Sequence, residues 1–175
     1  MNEKDFWKFG QKHHENRRNA SFDLNDIINF MEPDRNMEIV DLGAGDGYFS
    51  KSFLNKYKSV TAVDIYDGFF NTLNELGIKT IMADLCNFDQ GSWDVSFMAN
   101  VYHGLRRDCK ENLLNNIFSI TKKYFFILDF NPNVDFFGPP FKLKKETVIS
   151  DLNSAGFRYV KDRDLKYHYI IKFEK

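Results

Sequence analysis

The sequence lacks a surplus of charge, and this disfavours one large class of partners. Its 175 residues carry 24 lysines and arginines against 25 aspartates and glutamates, for a formal net charge of -1. A nucleic-acid backbone is held mainly by an excess of positive charge. Nucleic acid is therefore not favoured as a partner.

Long apolar runs are also missing. No stretch approaches the ~20 residues that a membrane-spanning helix needs. The N-terminal segment MNEKDFWKFGQKHHENRR has no apolar centre of the kind found in signal peptides. We therefore expect a cytoplasmic protein with no membrane partner. Hydrophobic residues nevertheless make up 43% of the chain, which is enough for a packed core.

Cysteine and histidine are too few to indicate a metal site. The two cysteines, Cys86 and Cys109, fit neither a metal-binding spacing nor a disulfide framework, so we expect two free thiols in a reducing cytosol. The four histidines are scattered without the spacing of metal ligands. The sequence thus predicts no bound metal.

Short apolar runs alternate with amphipathic stretches from residue 38 onward. Strands are predicted at 38–42, 59–64, 78–84, 93–100 and 124–130, and helices at 46–57, 68–77, 107–123 and 144–156. This alternation predicts an α/β fold: a Rossmann-like, doubly wound, mostly parallel sheet with helices on both faces. Two further strands, 157–164 and 166–174, lie too close together for a crossover. They must be antiparallel neighbours, which makes seven strands with an antiparallel C-terminal strand.

The chain has the length of a single domain, which we assign to residues 1–175. Residues 1–36 precede the sheet and contain two predicted short helices, the second closed by Pro33. We expect this N-terminal helical segment to pack across one edge of the sheet. Residues 37–175 then form the ligand-binding core.

A glycine-rich turn follows the first strand, in the stretch EIVDLGAGDGYFS (38–50). Glycines permit positive φ and close approach of a ligand to the backbone, and the helix N-terminus beyond them offers N–H donors. The dinucleotide pattern G-x-G-x-x-G would need glycine where Tyr48 stands. No lysine or arginine lies in residues 38–50 to neutralise a polyphosphate. The turn therefore suits a ligand that carries a carboxylate and an ammonium group better than a triphosphate.

This pattern resembles class I S-adenosylmethionine-dependent methyltransferases, of the small-molecule group related to the quinone-biosynthesis enzymes. The resemblance covers about residues 38–175. It implies that the glycine turn binds the methionine end of the cofactor, and that acidic residues ending the next two strands bind the ribose and the adenine amino group. It also implies that apolar neighbours enclose the adenine ring. The residues at these positions are Asp41, Gly43, Gly45, Gly47, Asp64, Ile65, Asp84 and Leu85, and Asn100 stands in the segment after the fourth strand, which the resemblance places beside the methionine part of the cofactor and the substrate. A strand-end carboxylate can instead be a simple helix cap, and for Asp64 or Asp84 alone that alternative could hold.

The segment after the fourth strand is expected to face the methyl group and the acceptor. His103 is the best candidate for a catalytic base, because its pKa range suits proton transfer near neutral pH. The alternative is a histidine at a helix start that bonds to backbone. Candidate substrate residues are Tyr102, His13, Arg17 and Asp129. Their alternatives are, respectively, a packed core tyrosine, a solvated helix face for the two N-terminal residues, and a buried, capped carboxylate.

We therefore predict S-adenosylmethionine-dependent methyl transfer to a small-molecule acceptor by direct displacement. One alternative is a protein that binds the cofactor without catalysis and serves as a partner. Another is an RNA or protein methyltransferase, which a local basic surface near the site would favour. His168 lies among aromatic residues in the last strand, where a hydrogen-bonded core histidine is expected rather than a catalytic one.

Overall fold

The computed structural model describes residues 22–105 and 107–175, which build one seven-stranded sheet. The sheet order is β3-β2-β1-β4-β5-β7-β6. The strands are β1 (Glu38–Leu42), β2 (Ser59–Asp64), β3 (Lys79–Met82), β4 (Trp93–Ala99), β5 (Thr121–Phe130), β6 (Arg158–Asp164) and β7 (His168–Glu174). The fold class predicted from the sequence is confirmed.

Strand direction places a crevice between β1 and β4. β1 pairs in parallel with both β2 and β4, and β4 pairs in parallel with β5. The chain runs outward from β1 to β2 and β3, and then crosses to β4 on the other side of β1. Ligands bind in open α/β sheets at such a reversal, beyond the carboxyl ends of the strands. The glycine turn follows β1 and the residues around His103 follow β4, so both lie at this reversal.

The last two strands are antiparallel neighbours, as predicted. β7 pairs antiparallel with both β5 and β6, because it is inserted between them. Residues 168–173 of β7 are all buried, so both faces of this strand are covered. Its insertion brings His168 opposite Phe130, at the carboxyl end of β5.

The helices are shorter than the apolar pattern predicts. They are α1 (Leu24–Met31), α2 (Tyr48–Phe53), α3 (Phe70–Glu75), α4 (Arg107–Ile120) and α5 (Lys145–Ser154). α2 begins after Gly47, which has φ 76°, and Asn55 with φ 62° lies just beyond its end. α4 ends at Ile120 rather than residue 123, because Thr121 already pairs with Trp93 of β4. The hydroxyl of Thr121 also donates to the Ile117 carbonyl, at 2.6 Å.

Two apolar clusters cover the two faces of the sheet. One lies under α4 and α5, and the other lies under α1, α2 and α3. We expected the N-terminal helical segment at a sheet edge, but α1 buries Ile27, Ile28 and Phe30 in the cluster on one face. The first predicted helix lies outside the described residues. None of the helices in residues 22–105 and 107–175 is long and apolar enough to cross a membrane.

The expectation of two free thiols is wrong. Cys86 and Cys109 form a disulfide, with their Cα atoms 5.0 Å apart. The bond joins a 3-10 turn after β3 (Leu85–Asn87) to the first turn of α4. The two residues are 23 positions apart in sequence, and only the packing of α4 against the 3-10 turn brings them together. The thiols therefore give no support to a reducing compartment.

Candidate functional site

The three glycines of the turn differ in what surrounds the position of a Cβ atom. All have positive φ, at 76° for Gly43, 57° for Gly45 and 76° for Gly47. A Cβ atom at Gly43 would overlap the Val101 side chain, and one at Gly47 would overlap Leu73. A Cβ at Gly45 would meet nothing within 4 Å. Two glycines therefore let the turn pack against its neighbours, and Gly45 leaves open space in front of the backbone.

Asp64 holds the glycine turn in place from the end of β2. The Gly45 N–H donates to Asp64 Oδ2 at 2.8 Å, and the Tyr66 N–H donates to Oδ1 at 2.9 Å. The Gly43 N–H also donates to the Val63 carbonyl, at 2.8 Å. Asp64 is half-buried, and each carboxylate oxygen has a second lone pair for a ligand hydroxyl. Asp64 therefore does cap backbone N–H groups, but these belong to the glycine turn and to Tyr66 rather than to a helix.

Asp41 is a buried carboxyl at the base of the turn. The Ser50 hydroxyl donates to Asp41 Oδ2 at 2.6 Å, and the residue is 2% exposed. Burial raises the pKa of Asp41 to about 7, partly opposed by the bond from Ser50, while the nearby Asp64 and Asp46 carboxylates raise it further. An adjacent cation would favour the charged form of this carboxyl.

Asn100 follows β4 and faces the same space. Its backbone has φ 57°, and its N–H donates to the Leu128 carbonyl at 2.9 Å. Its side-chain Oδ1 is buried and has no hydrogen-bond partner in the structure. A left-handed non-glycine residue with an unpaired buried oxygen is costly unless something binds there.

These groups enclose one cavity of about 140 Å³. Its lining consists of Phe22, Asp41, Gly43, Ala44, Gly45, Asp46, Tyr48, Phe49, Ala99 and Asn100. The structure thus brings together Asp41, two of the glycines and Asn100 from the sequence prediction. Ser50 and Phe22 were missed. Phe22 precedes the sheet, and only the tertiary fold brings its ring within 5.3 Å of Phe49. Ser50 lies in the α2 pattern, where a serine gives no signal of a buried bond.

The residues predicted to surround an adenine ring lie beside this cavity, at the ends of β2 and β3. Ile65 is 71% exposed directly after Asp64, and Leu85 is half-buried. Asp84 is exposed and accepts a hydrogen bond from the Cys86 N–H at 3.0 Å, which caps the 3-10 turn. One oxygen of Asp84 therefore acts as a helix cap, which was the alternative to ligand binding, while its other oxygen is open to a ligand. An exposed apolar side chain such as Ile65 is suited to cover a flat ring.

His103 lies in a second 3-10 turn (Tyr102–Gly104) after β4, with a side chain that is 15% exposed. Its Nδ1 is 2.7 Å from Asp129 Oδ1, and its backbone N–H donates to Asp129 Oδ2 at 3.0 Å. Asp129 is 1% exposed, so it faces His103 rather than the open space. The structure does not support Asp129 as a substrate contact; it supports the alternative of a buried carboxylate that accepts backbone N–H groups.

Tyr102, predicted as a substrate contact, lies in the core instead. The side chain is 2% exposed and packs in the cluster under α4 and α5. Its hydroxyl donates to Asp151 Oδ2 of α5 at 3.0 Å. Successive side chains of a 3-10 turn are about 120° apart, so Tyr102 enters the core while the His103 side chain stays 15% exposed. His13 and Arg17 lie outside the described residues, and their roles stay predictions.

His168 is buried, as expected, but is not hydrogen-bonded. It is fully buried, and neither ring nitrogen has a hydrogen-bond partner in the structure. Its ring lies 4.3 Å from that of Phe22 and 4.7 Å from that of Phe130, measured between centroids. Burial lowers the pKa of His168 to about 4, so the imidazole is neutral at physiological pH.

Comparison with known proteins agrees with this geometry. Residues 39–124 match a family model described as a methyltransferase domain. No curated protein sequence matches the chain. A similar solved structure is a SAM-dependent methyltransferase from Aquifex aeolicus, 23% identical, with a TM-score of 0.73 over 88% of this chain and 90% of that one.

Two further solved structures have the same fold over most of this chain. One is the 1,6-didemethyltoxoflavin-N1-methyltransferase of Burkholderia thailandensis with bound 1,6-didemethyltoxoflavin and S-adenosylhomocysteine. It is 18% identical, with a TM-score of 0.72 over 96% of this chain and 85% of that one. The other is a TehB-like SAM-dependent methyltransferase from Corynebacterium glutamicum. It is 16% identical, with a TM-score of 0.75 over 99% and 100% of the two chains. The resemblance to the quinone-related group stays a prediction.

Proposed function

We propose that the chain is a class I S-adenosylmethionine-dependent methyltransferase that transfers a methyl group from S-adenosylmethionine to a small-molecule acceptor by direct displacement; the methyltransferase-domain match over residues 39–124 and the shared fold support this. S-adenosylmethionine supplies an electrophilic methyl group on a positively charged sulfur. The protein has to bind this cofactor, exclude water, and align the acceptor's nucleophilic atom with the methyl carbon.

The cavity between β1 and β4 suits the methionine end of the cofactor. Asp41 offers a carboxyl and Asn100 an unpaired amide oxygen, and both accept hydrogen bonds from an ammonium group. Gly45 leaves the backbone open to close contact. Asp64 has lone pairs for the ribose hydroxyls, while Ile65, Leu85 and Asp84 form the adenine side.

The unpaired Asn100 Oδ1 is the observation that carries this proposal. A buried oxygen without a donor costs about 1–3 kcal/mol, and a left-handed non-glycine residue adds to that cost. A bound ammonium group would satisfy the oxygen. Asn100 is also one of the residues that line the cavity, together with Asp41 and Gly45.

His103 is placed for the acceptor side. It follows Asn100 by three residues, at the same carboxyl-end rim of the sheet. Its partly exposed ring can take a proton from an acceptor bound beside the methyl group. The toxoflavin enzyme of similar fold has a small heterocyclic compound bound, which supports a small-molecule acceptor here.

Calorimetric titration with S-adenosylmethionine tests the cofactor site first. Asn100→Gly keeps the backbone free to adopt positive φ but removes the amide oxygen, so we expect weaker binding. Asn55→Gly is the matched control, because Asn55 has φ 62° and lies outside the cavity. Equal affinity of the two variants would count against this cofactor site.

A screen with methyl-labelled cofactor and metabolite extract then tests the activity. We expect label in a low-molecular-weight product. Tight cofactor binding with no transfer would indicate the non-catalytic alternative. Label that appears only in added RNA or protein would indicate a macromolecular acceptor instead.

A further inference from the structure

One buried carboxylate holds both the backbone and the ring of His103. Asp129 lies near the end of β5 and is 1% exposed. Its Oδ2 accepts the His103 backbone N–H at 3.0 Å, and its Oδ1 lies 2.7 Å from His103 Nδ1. Oδ1 also accepts the Phe130 N–H, at 2.8 Å. A carboxylate used only to cap the turn would need the backbone bond alone.

These contacts determine which ring nitrogen of His103 carries the proton. Backbone N–H groups can only donate, so two fixed donors keep the Asp129 carboxylate as an acceptor. The short contact to Nδ1 then requires that Nδ1 donates, which leaves Nε2 with a free lone pair. Among the described residues no hydrogen-bond partner of Nε2 is found, and the side chain is 15% exposed. The Phe130 ring meets the imidazole edge-on, 5.2 Å between centroids, which limits rotation of the ring.

We propose that Asp129 is a positioning residue that keeps His103 in the Nδ1–H tautomer, with Nε2 ready to take a proton from an acceptor O–H or N–H group. This rests on the proposed methyl transfer. His103 Nε2 takes the proton while the acceptor oxygen or nitrogen bonds to the methyl carbon. The electron pair of the broken carbon–sulfur bond remains on the sulfur, and the imidazolium later releases its proton to solvent. The acceptor class is therefore a hydroxyl or N–H compound, and the product is an ether or an N-methyl compound.

Other charged and titratable groups interact with His103, with Asp129 or with their neighbour His168. His168 of β7 packs against Phe130 and interacts electrostatically with both His103 and Asp129. Lys142, in the segment between β5 and α5, also acts on His168, and Tyr169 of β7 interacts with Asp129. Asp129 is the one of these groups that makes a direct bond to the His103 ring. A change in the His103 tautomer on replacement of Asp129 thus reports that bond.

The tautomer can be measured without an acceptor. Nitrogen-15 NMR of the imidazoles, assigned with His103→Gln, should show Nδ1 of His103 protonated and Nε2 unprotonated in the neutral ring of the unaltered protein. Asp129→Ala removes both acceptor oxygens, so nothing holds the proton on Nδ1 and the Nε2–H form should appear in the spectrum. A neutral Nε2–H ring in the unaltered protein would overturn the positioning role, and this result does not depend on whether the variant folds.

Turnover with the acceptor found in the labelled screen supplies the second readout. Asp129→Asn should lower kcat by at least about 10²-fold, the lower end for loss of a general base, with unchanged cofactor affinity. Asp151→Asn is the matched control, because Asp151 bonds the neighbouring Tyr102 of the same turn without touching the imidazole. Equal loss in both variants would assign Asp129 to folding alone. A methyl ester as the product would overturn the acceptor class.

Failure of the proposed function has a different signature. A protein with the Nδ1–H tautomer that transfers no methyl group to any acceptor would refute methyl transfer while the Asp129–His103 contact stands. The opposite tautomer in a protein that does transfer methyl groups would refute the positioning role alone.

Discussion

Asp41 should make cofactor binding depend on pH. In the free protein the pKa of this buried carboxyl is raised to about 7, chiefly by burial. The carboxyl should meet the cofactor's ammonium group, which favours the ionised form. Cofactor affinity should therefore rise as the pH rises through 7 and level off above it.

The size of the effect follows from that pKa. If the cofactor binds only the ionised carboxyl, the apparent Kd exceeds its limiting value about 11-fold at pH 6 and about 1.1-fold at pH 8. Affinity should thus improve about tenfold across this range, or about 1.4 kcal/mol. At pH 6, binding should release about 0.9 proton per site. Calorimetry in buffers of different ionisation enthalpy measures both quantities.

Two variants assign the effect to this carboxyl. Asp41→Asn removes the titrating group, so its affinity should be lower and nearly constant from pH 6 to pH 8. Ser50→Ala removes the hydroxyl that donates to Asp41 Oδ2 and lowers its pKa, so the midpoint should move to higher pH. A pH-independent affinity in the unaltered protein would refute the reasoning. So would a tenfold dependence that survives in Asp41→Asn.

The raised pKa of Asp41 also makes the free energy of unfolding depend on pH, and this contribution falls as the pH rises, whereas cofactor affinity rises. The folded-state pKa of Asp41 lies above its ordinary value of 3.8, so protonation favours the folded state. This contribution is fully present below about pH 4 and is lost as the pH rises to about 7. The cofactor-free protein should gain melting temperature in Asp41→Asn relative to the unaltered chain at pH 8, and less so at pH 5.

Three further predictions concern the loop, the ribose side and the disulfide. Gly45→Val should abolish measurable cofactor binding, whereas Gly77→Val, with φ 82° and open space outside the cavity, should lose similar stability but keep its affinity by calorimetry. Asp64→Ala should weaken cofactor binding by about 1.5–3 kcal/mol, the range for hydrogen bonds to a charged group; unchanged affinity would show that Asp64 only holds the turn. Reduction of the Cys86–Cys109 bond, which closes a loop of 23 positions, should lower the free energy of unfolding by about 3 kcal/mol in urea titrations; identical curves with and without a dithiol would contradict the bond.

The strands could be predicted closely because parallel strands are buried on both faces. The predicted strands 38–42 and 59–64 match β1 and β2. Each is a short, mostly apolar run, as expected of a strand buried on both faces. Helix ends were less predictable, because local backbone geometry decides them. Gly47 and Asn55 adopt positive φ on either side of α2 and shorten it relative to its apolar pattern.

The residues proposed to bind the cofactor were more predictable from the sequence than those proposed to face the acceptor. Asp41, Gly45 and Asp64 lie within or next to a local motif, so their spacing in sequence already reflects their spacing in the fold. The contact of Asp129 with His103 spans 26 positions and depends on how β4 and β5 align. Long-range contacts of this kind, like the disulfide, leave no pattern in a single sequence.

An unpaired buried atom does not identify a site by itself. Among the described residues, Tyr57, Asn100 and His168 each have buried side-chain atoms without a hydrogen bond. The Tyr57 ring packs against Phe53 in an apolar cluster, and His168 lies between aromatic rings, so neither is on the lining of the cavity between β1 and β4. Asn100 differs in two independent respects: its backbone is held at φ 57°, and its side chain faces that cavity. A left-handed non-glycine residue with a buried, unpaired oxygen beside a cavity is stabilised when a donor binds there. For that reason we propose Asn100, rather than either of the other two, as the acceptor for the cofactor's ammonium group.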